Sequence, residues 1–400
     1  MRRFRLVRHS LLAIGMWAIC SGVLNGVQGA EWSAEPSMTI KGEYSDNLTL
    51  TPLPHKDVIG YWTSPQTRLK GATEHFDLSG AIAADFVNYS GGQNINLTNL
   101  NFPLSMHYQA THDTFGLDGA ITRDNTLMGE LQQTGLVLNF TQRNLRTVNP
   151  TWNHALTERA TLQTGYQYTD VTYSDGLRLG LVNYSTHSAN SGISYQLTER
   201  DQVDAVGYFV TFSAPGAALH SQFYGGQLSA KHRFGERLTA TVSGGLRNIE
   251  STTTNAGGVR LRDQELVWLF NADITQQFER GSIAGTCSRN INPSGFGLLI
   301  RTELCGVTFT FLASETLTLG LSGQVYWVNP IASQGTAASF PSNRYFRVNP
   351  TARWKIAENW LLSLSYSYAQ RDIHSLNQEA HANGTMLMLT YTLPKLSVSR

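Results

Sequence analysis

The sequence predicts an all-β fold, namely a transmembrane up-and-down antiparallel β-barrel of about 18 strands, with 16 or 14 strands as alternatives. Three observations lead to this prediction. The N-terminus has the pattern of an export signal, an acidic turn recurs at near-constant spacing, and the segments between the turns alternate apolar with small polar residues. Short periplasmic turns and longer extracellular loops are expected, since bacterial outer-membrane barrels share this asymmetry.

The first 29 residues have the organisation of a cleaved signal peptide. Four arginines precede a short apolar run from Leu11 to Ile19, and small residues follow at Gly26, Gly29 and Ala30. The apolar run is too short to span a membrane as a helix, and small residues typically precede a cleavage site. We therefore predict a signal peptide over 1–29, an outer-membrane barrel over 30–400, and location in the bacterial outer membrane.

The composition fits a barrel wall and disfavours binding to nucleic acid. Charged residues make up 15% of the chain, glycine occurs 36 times, and the formal net charge is only +1. A wall between lipid and water needs aromatic and aliphatic residues outside and uncharged polar residues inside. Proteins that bind nucleic acid usually carry a basic face, which this charge balance does not suggest.

An acidic residue recurs with a period that matches one hairpin. Leu156-Thr157-Glu158-Arg159 reappears as Leu197-Thr198-Glu199-Arg200, and successive acids are separated by 36 to 43 residues. Each step can hold one strand up, one loop and one strand down, so the acids are predicted to mark periplasmic turns. The predicted turn residues are Glu158, Glu199, Glu236, Glu279, Glu315 and Glu358, and Asp113 and Glu74 extend the series backward.

The segments that follow these turns alternate with a period of two. From Trp360 to Tyr368 the even positions are aromatic or leucine, whereas positions 363, 365 and 367 are serine. The segments that begin at Leu238 and Leu317 alternate in the same way. A soluble β-sandwich also alternates, but its polar side faces bulk water and usually carries many charges. Here the polar side is mostly Ser, Thr, Gln and Gly, which favours a membrane barrel.

Two stretches resemble a known group of proteins. The first comprises Val148-Asn149-Pro150-Thr151-Trp152, the turn Leu156-Thr157-Glu158-Arg159, and the segment from Tyr166 to Tyr173; the second is Gly42-Glu43-Tyr44-Ser45-Asp46-Asn47. They are similar to outer-membrane barrels associated with exopolysaccharide and exosortase (PEP-CTERM) loci, which are largely uncharacterised. This resemblance implies a barrel with a role connected to exopolysaccharide. The C-terminus departs from the commonest barrel ending, since Pro394 to Arg400 replace a terminal Phe.

Cys287 and Cys305 are the two cysteines that remain after export. Counted from the neighbouring turn acids, they fall at similar heights on adjacent strands and on the lipid-facing side. The periplasm is oxidising, so a disulfide between them is a candidate. The alternative is two small apolar wall residues, because strand register is not derivable from the sequence.

Several basic side chains point into the barrel by the alternation. They are Arg143, in a strand expected to begin at Thr134, Arg247, and Arg347, Arg353 and Lys355 in the strand from Tyr345. Charges are strongly disfavoured on the lipid face, so these residues are candidates to line a pore and guide anionic solutes. The alternative is that they are ordinary polar lining, paired with inward acids.

The predicted function is a porin-like channel for exopolysaccharide or small solutes. The alternative is a structural or assembly barrel with an occluded lumen that anchors surface polymer or partner proteins, and a less favoured one is an outer-membrane enzyme. No histidine spacing demands a catalytic or zinc site, so we predict no enzyme, no metal and no cofactor. Expected partners are outer-membrane lipid and lipopolysaccharide, the barrel-assembly machinery, and a polysaccharide or small solute, with no nucleic acid.

Overall fold

Alternating apolar and small polar residues form long antiparallel strands throughout the part of the chain that the structure describes. The computed structural model describes residues 31–92, 94–127, 141–254, 258–331, 342–373 and 377–399. The predicted signal peptide and Thr134 lie outside these residues. The strands are β1 Glu31–Ser45, β2 Val58–Ala72, β3 Phe76–Gly91, β4 Ile95–Gln109, β5 Asp113–Asn125, β6 Gln142–Ala155, β7 Ala160–Tyr173, β8 Tyr184–Gln196, β9 Asp201–Ala214, β10 Leu219–Arg233, β11 Leu238–Thr254, β12 Arg260–Phe278, β13 Gly281–Pro293, β14 Leu299–Leu312, β15 Leu317–Pro330, β16 Asn343–Ala357, β17 Trp360–Ile373, β18 Gln378–Thr392 and β19 Leu396–Ser399.

The described strands form one closed barrel of 18 strand positions, which confirms the predicted fold class. Each of the strands from β1 to β18 pairs antiparallel with its neighbours in the chain, and β1 closes the sheet by pairing with β18 and β19. The last two strands share one position, because β19 continues the edge of β18 after a short break. Pro36 lies opposite this break, where its missing N–H leaves no ladder bond unmade.

Eight connections of two to four residues form one rim of the barrel, here called the turn rim. Each of the six predicted turn glutamates lies in one of these connections, as does Glu74, whereas Asp113 is the first residue of β5. The hydroxyl before the acid makes the turn: Thr157 Oγ1 accepts hydrogen bonds from the N–H groups of Arg159 and Ala160, at 3.2 and 3.0 Å. Thr198 and Ser314 accept equivalent bonds in their own turns, so three of the six glutamates lie in turns that a hydroxyl group stabilises.

The opposite rim, here called the loop rim, carries connections of more variable length. The β1–β2 connection spans 46–57 and the β7–β8 connection spans 174–183, but five others have only three to five residues. The connection after β11 is one of the short ones, because β11 continues to Thr254 and β12 begins at Arg260. Among the described residues, no helix is long and apolar enough to cross a membrane.

The two faces of the wall follow the predicted alternation. On β15, Leu319, Leu321 and Trp327 face outward with 39%, 48% and 36% of their surface exposed. Their neighbours on the inner face include Thr318, which pairs with Arg353, and Gln324, which pairs with Arg347. The outer surface is thus apolar around the barrel, as a hydrocarbon environment requires. This is the surface of a barrel in an outer membrane, the location that the sequence predicts.

Candidate functional site: a polar path along one side of the lumen

The wall parts between β12 and β13 near the loop rim. β12 pairs with β13 only from Phe270 to Phe278, and the last pair joins Phe270 to Arg289. Above this level β12 pairs with β11 alone, while β13 stays paired with β14 up to Pro293. The upper part of the β13–β14 hairpin, residues 290–300, is thereby free to leave the cylinder of the wall and fold inward. It is called the inner hairpin below.

The tip of the inner hairpin is docked against the β7–β8 and β9–β10 connections. The N–H of Val182, in the β7–β8 connection, donates to the carbonyl oxygen of Gly295 at 2.7 Å. Gly297 has a φ of 71°, and a Cβ added there would lie 2.7 Å from the Cβ of Ala217 in the β9–β10 connection. The hairpin stem is also held, since Arg247 Nη1 donates to the carbonyl oxygen of Ile291 at 3.5 Å. The positive φ and the close approach to Ala217 require glycine at position 297.

An apolar core lies beneath the inner hairpin and fills this side of the lumen near the loop rim. Inward residues that a water-filled pore would make polar are instead aliphatic or aromatic and fully buried. Ile249 on β11 and Phe212 on β9 are 0% exposed, as is Leu299 on the hairpin. The complete cluster is Val171, Tyr173, Leu181, Tyr184, Phe212, Ala214, Leu219, Phe223, Ile249, Val267, Leu269, Ile291, Leu299 and Ile331. The cavities along the inner wall described next lie on the remaining side.

On that side, two adjoining cavities follow the inner face of β1, β16, β17 and β18. The upper cavity has a volume of about 320 Å³ and lies beneath the β1–β2 connection. The lower cavity has a volume of about 210 Å³ and extends toward the turn rim along Arg353 and Ser363. Glu43 and Arg347 line both cavities, so they mark the junction between them. The two cavities define a polar path along the wall.

Aromatic and charged side chains of β1, β2 and β3 form one flank of the upper cavity. Tyr89 Oη donates to Glu43 Oε2 at 3.1 Å. Lys41 Nζ lies 4.7 Å from the centre of the Trp62 ring and 3.8 Å from Asp85 Oδ1. The charge of Lys41 is thus balanced by a carboxylate and by the face of an aromatic ring.

The β1–β2 connection lines the upper cavity on the side of the loop rim. Asn47 Nδ2 donates to the carbonyl oxygens of Thr51 and His381, at 2.7 and 3.0 Å, and so holds the connection to β18. Asp46 accepts hydrogen bonds from the backbone and the side chain of Asn383, at 2.7 and 2.8 Å. Leu50 is consequently buried against Tyr345 and Ala380 of the wall, so the connection is held in place beside the cavity.

The five predicted lining residues all belong to the inner face, but they differ in the side chains and cavities that surround them. Arg347 and Arg353 lie on the polar path. Lys355 is exposed, near the end of β16 at the turn rim, and lines neither cavity. Arg247 packs on the Tyr208 ring at 4.8 Å and supports the inner hairpin. Arg143 is buried in an ion pair with Asp124.

The two cysteines lie directly opposite each other on β13 and β14. Their Cα atoms are 4.2 Å apart, and the sulfur atoms are bonded. Both residues belong to the outward-facing positions, as the alternation predicts. The disulfide lies two residues below Arg289, where β13 parts from β12, so it joins the two strands of the hairpin at the base of its inward bend.

Sequence reasoning missed the β1–β3 flank of the path, namely Lys41, Glu43, Trp62 and Tyr89. Glu43 was included only in a motif of resemblance. The alternation could have placed Lys41 and Glu43 on the inner face, because Ile40 and Tyr44 mark the outer one. Their convergence with Arg347 requires closure of β1 on β18, which no local pattern encodes.

Comparisons with known proteins give similarity of fold alone. No protein-family model matches the chain, and no curated protein sequence is similar to it. Among solved structures, Acinetobacter baumannii OccAB3 superposes with a TM-score of 0.47 and 10% identity, over 91% of this chain and 99% of that one. Pseudomonas aeruginosa OpdL has a TM-score of 0.47 and 11% identity, over the same shares of the two chains. P. aeruginosa OccK5 (OpdH) has a TM-score of 0.45 and 12% identity, over 91% and 98%.

Proposed function

We propose that the protein is a porin-like channel of the bacterial outer membrane that lets small hydrophilic solutes diffuse along the polar path. The observation that carries this proposal is the pair of adjoining cavities that share Glu43 and Arg347. Charged and hydroxyl groups in sequence along a path give a solute several weak contacts instead of one tight site, as conduction requires. On this proposal the turn rim faces the periplasm and the protein is not an enzyme.

Exopolysaccharide, or fragments of it, is the solute that we propose on the basis of the sequence resemblance. The path offers serine hydroxyls at 363, 365 and 367 and the methionines Met386 and Met388. Hydroxyls suit the polar edges of sugars and methionines suit their C–H faces. The volumes of the cavities favour one sugar ring at a time in the path.

A second candidate function is a structural barrel that anchors polymer or partner proteins without conducting. The apolar core beneath the inner hairpin favours it, because fully buried Ile249, Leu299 and Phe212 fill part of the lumen. The proposed partners are the same for both functions: outer-membrane lipid and lipopolysaccharide around the wall, and the barrel-assembly machinery during insertion.

Single-channel conductance of the refolded mature protein in planar bilayers tests the proposal. A channel is expected to give steady current steps, which oligosaccharides added to one side reduce. A folded barrel that inserts but carries no current would overturn the channel and support the structural alternative. Insertion is checked separately by the protection of the wall from protease.

A further inference from the structure

The parting of β12 and β13 leaves a notch on the outer face of the wall, toward the loop rim. Arg289 and Glu303 face each other across β13 and β14 at the level of the last β12–β13 pair, and Arg301 lies two residues before Glu303. All three share the outward positions of Cys287 and Cys305. We propose that Arg289 and Arg301 bind the phosphate group of a phosphorylated glycolipid, the class to which lipopolysaccharide belongs. The inference deepens the proposed function by giving one lipid partner a site, and it rests on the proposed orientation of the barrel.

The two guanidinium groups share a single carboxylate. Arg289 Nε and Arg301 Nε each lie 3.6 Å from Glu303 Oε1, which is ion-pair distance but too long for a hydrogen bond. Among the described residues, Glu303 is the one carboxylate within 4.0 Å of either arginine. Both Nε atoms are buried, and no described residue accepts a hydrogen bond from them. The cluster therefore keeps an excess positive charge and unused donors.

A bound phosphate would compensate this charge. The side chain of Arg289 is only 14% exposed, and its Cζ lies 4.0 Å from the centre of the Trp268 ring. Arg301 and Glu303 are 33% and 34% exposed, so the cluster is accessible from outside the wall. A largely buried guanidinium has lost much of its water, which favours an anion that replaces it. Phosphate presents several acceptor oxygens, which suit the planar donors of two arginines.

The surroundings of the notch favour a phosphate that is attached to a lipid. Trp268 and Trp327 flank the cluster on β12 and β15, and both rings are exposed. Exposed tryptophans are typical of the level where hydrocarbon meets the headgroups. Toward the turn rim, the outward residues of β14 include the exposed Val307 and Phe309, along which acyl chains can pack. A free phosphate ion gains nothing from this apolar surface.

The orientation and the tryptophans favour a sugar headgroup over a glycerol headgroup. With the turn rim in the periplasm, the notch lies in the outer leaflet, where lipopolysaccharide carries phosphate groups on sugar rings. The C–H faces of a sugar ring pack on tryptophan rings such as those of Trp268 and Trp327, whereas a glycerol phosphate has no such face. The ligand that fits the notch is therefore an acylated sugar phosphate.

Isothermal titration calorimetry on the refolded mature protein in detergent tests the site. The probes are diphosphoryl lipid A, lipid A from which both phosphates have been removed, phosphatidylglycerol and inorganic phosphate. Diphosphoryl lipid A is expected to bind about tenfold more tightly than each of the other three, which corresponds to about 1.4 kcal/mol.

Three variants assign the preference to the cluster. Arg289→Gln and Arg301→Gln are each expected to reduce the affinity for diphosphoryl lipid A to that for the dephosphorylated lipid. Glu303→Gln removes the competing carboxylate and is expected to raise this affinity about threefold, the scale of a partly exposed charge pair. A residue that only stabilised the wall would give no such gain.

Arg146→Gln is the matched control. Arg146 lies on the outer face of β6, is 68% exposed and has Asp170 at 3.9 Å, so the variant removes the same charge elsewhere on the outer face. Its affinity for diphosphoryl lipid A is expected to equal that of the wild type. Unchanged thermal unfolding of each variant shows that its fold is intact.

The outcomes separate this site from the channel. Equal binding of lipid A with and without phosphates, or a preference that both arginine variants retain, overturns the site. Equal binding of inorganic phosphate or of phosphatidylglycerol overturns the assignment to a glycolipid. A barrel without current overturns the channel alone, because the binding measurement needs no conduction.

Discussion

Arg143 and Asp124 face each other across β6 and β5 inside the barrel and form two parallel hydrogen bonds, Nε to Oδ1 at 2.9 Å and Nη2 to Oδ2 at 2.7 Å. Both side chains are almost fully enclosed, with 6% and 11% of their surface exposed. The geometry is that of a bidentate guanidinium–carboxylate pair, which fixes orientation as well as charge. Arg143 therefore stabilises the wall, in agreement with the alternative interpretation that inward basic residues pair with inward acids.

Replacing one partner of this ion pair should lower the free energy of unfolding much more than replacing both partners. Arg143→Met is expected to lower the free energy of unfolding by about 3–5 kcal/mol, because Asp124 is left as an uncompensated buried charge. The double variant Arg143→Met with Asp124→Leu should recover most of this loss. Unfolding in urea, followed by tryptophan fluorescence in lipid vesicles, measures both. A double variant as unstable as the sum of the singles would contradict the ion pair's role.

Charge reversal on the polar path should change ion selectivity. Replacing Arg347, Arg353 and Lys355 together with Glu is expected to shift the reversal potential in a salt gradient toward cation preference. Of the single replacements, Lys355→Glu should shift it least, because Lys355 lines neither cavity. No shift in the triple variant would rule out these residues as pore lining.

The docking of the inner hairpin depends on Gly297. Gly297→Ala places a Cβ 2.7 Å from Ala217 and 3.3 Å from Val182, at a φ of 71°. The left-handed backbone costs a non-glycine residue about 1–2 kcal/mol, and the clash adds about 1–3 kcal/mol. The hairpin tip should detach in part, so we expect higher and noisier single-channel current.

Gly258→Ala is the control for this change. Gly258 has a similar φ of 76°, but a Cβ there meets no atom within 4 Å. The Gly258→Ala variant should therefore lose only the stability that the left-handed backbone costs, and its single-channel current should be unchanged. Identical currents from both variants and the wild type would mean that the inner hairpin does not restrict the path.

The orientation of the wall is tested by one pair of adjacent residues. Leu321→Lys places a charge on the lipid face of β15 and should lower the free energy of unfolding in bilayers by about 2–4 kcal/mol near the midplane. Ser322→Lys, one residue along, places the same charge in the lumen and should cost far less. Equal losses from the two variants would contradict the assigned faces.

The turns and the two faces of the strands could be predicted from the sequence, because both depend on residues that are close together in the chain. The position of the turns follows from hydroxyl capping by residues such as Thr157 and Thr198, and the faces follow from the two-residue period. One non-local signal was present: the run Leu266-Val267-Trp268-Leu269-Phe270 is apolar on both faces, whereas a wall between lipid and water needs only one. It indicates an apolar partner inside the barrel, which the structure supplies as the inner hairpin.

The rest could not be predicted because it depends on contacts between distant parts of the chain. The parting of β12 and β13 at Arg289 is a departure from regular pairing, and the residues around it read as ordinary strand. The site at Glu43 and Arg347 joins β1 to β16, which are brought together only around the closed sheet. The sequence identified the basic residues of the inner face, but it did not show which side chains from distant strands contact them.

Closure of β1 on β18 has a consequence for how the protein is made. Ser37 pairs with Thr392, so the contact that completes the cylinder joins the first and the last long strands of the described residues. Such a contact has very high sequence separation, and the entropy of closing so long a loop makes it slow and late. Until the last strand arrives, β1 exposes a row of unpaired N–H and C=O groups that hydrocarbon cannot satisfy. Before the barrel closes, the chain therefore has an unpaired strand edge. A protein that covers the edge of β1 would prevent this strand from pairing with the wrong partner.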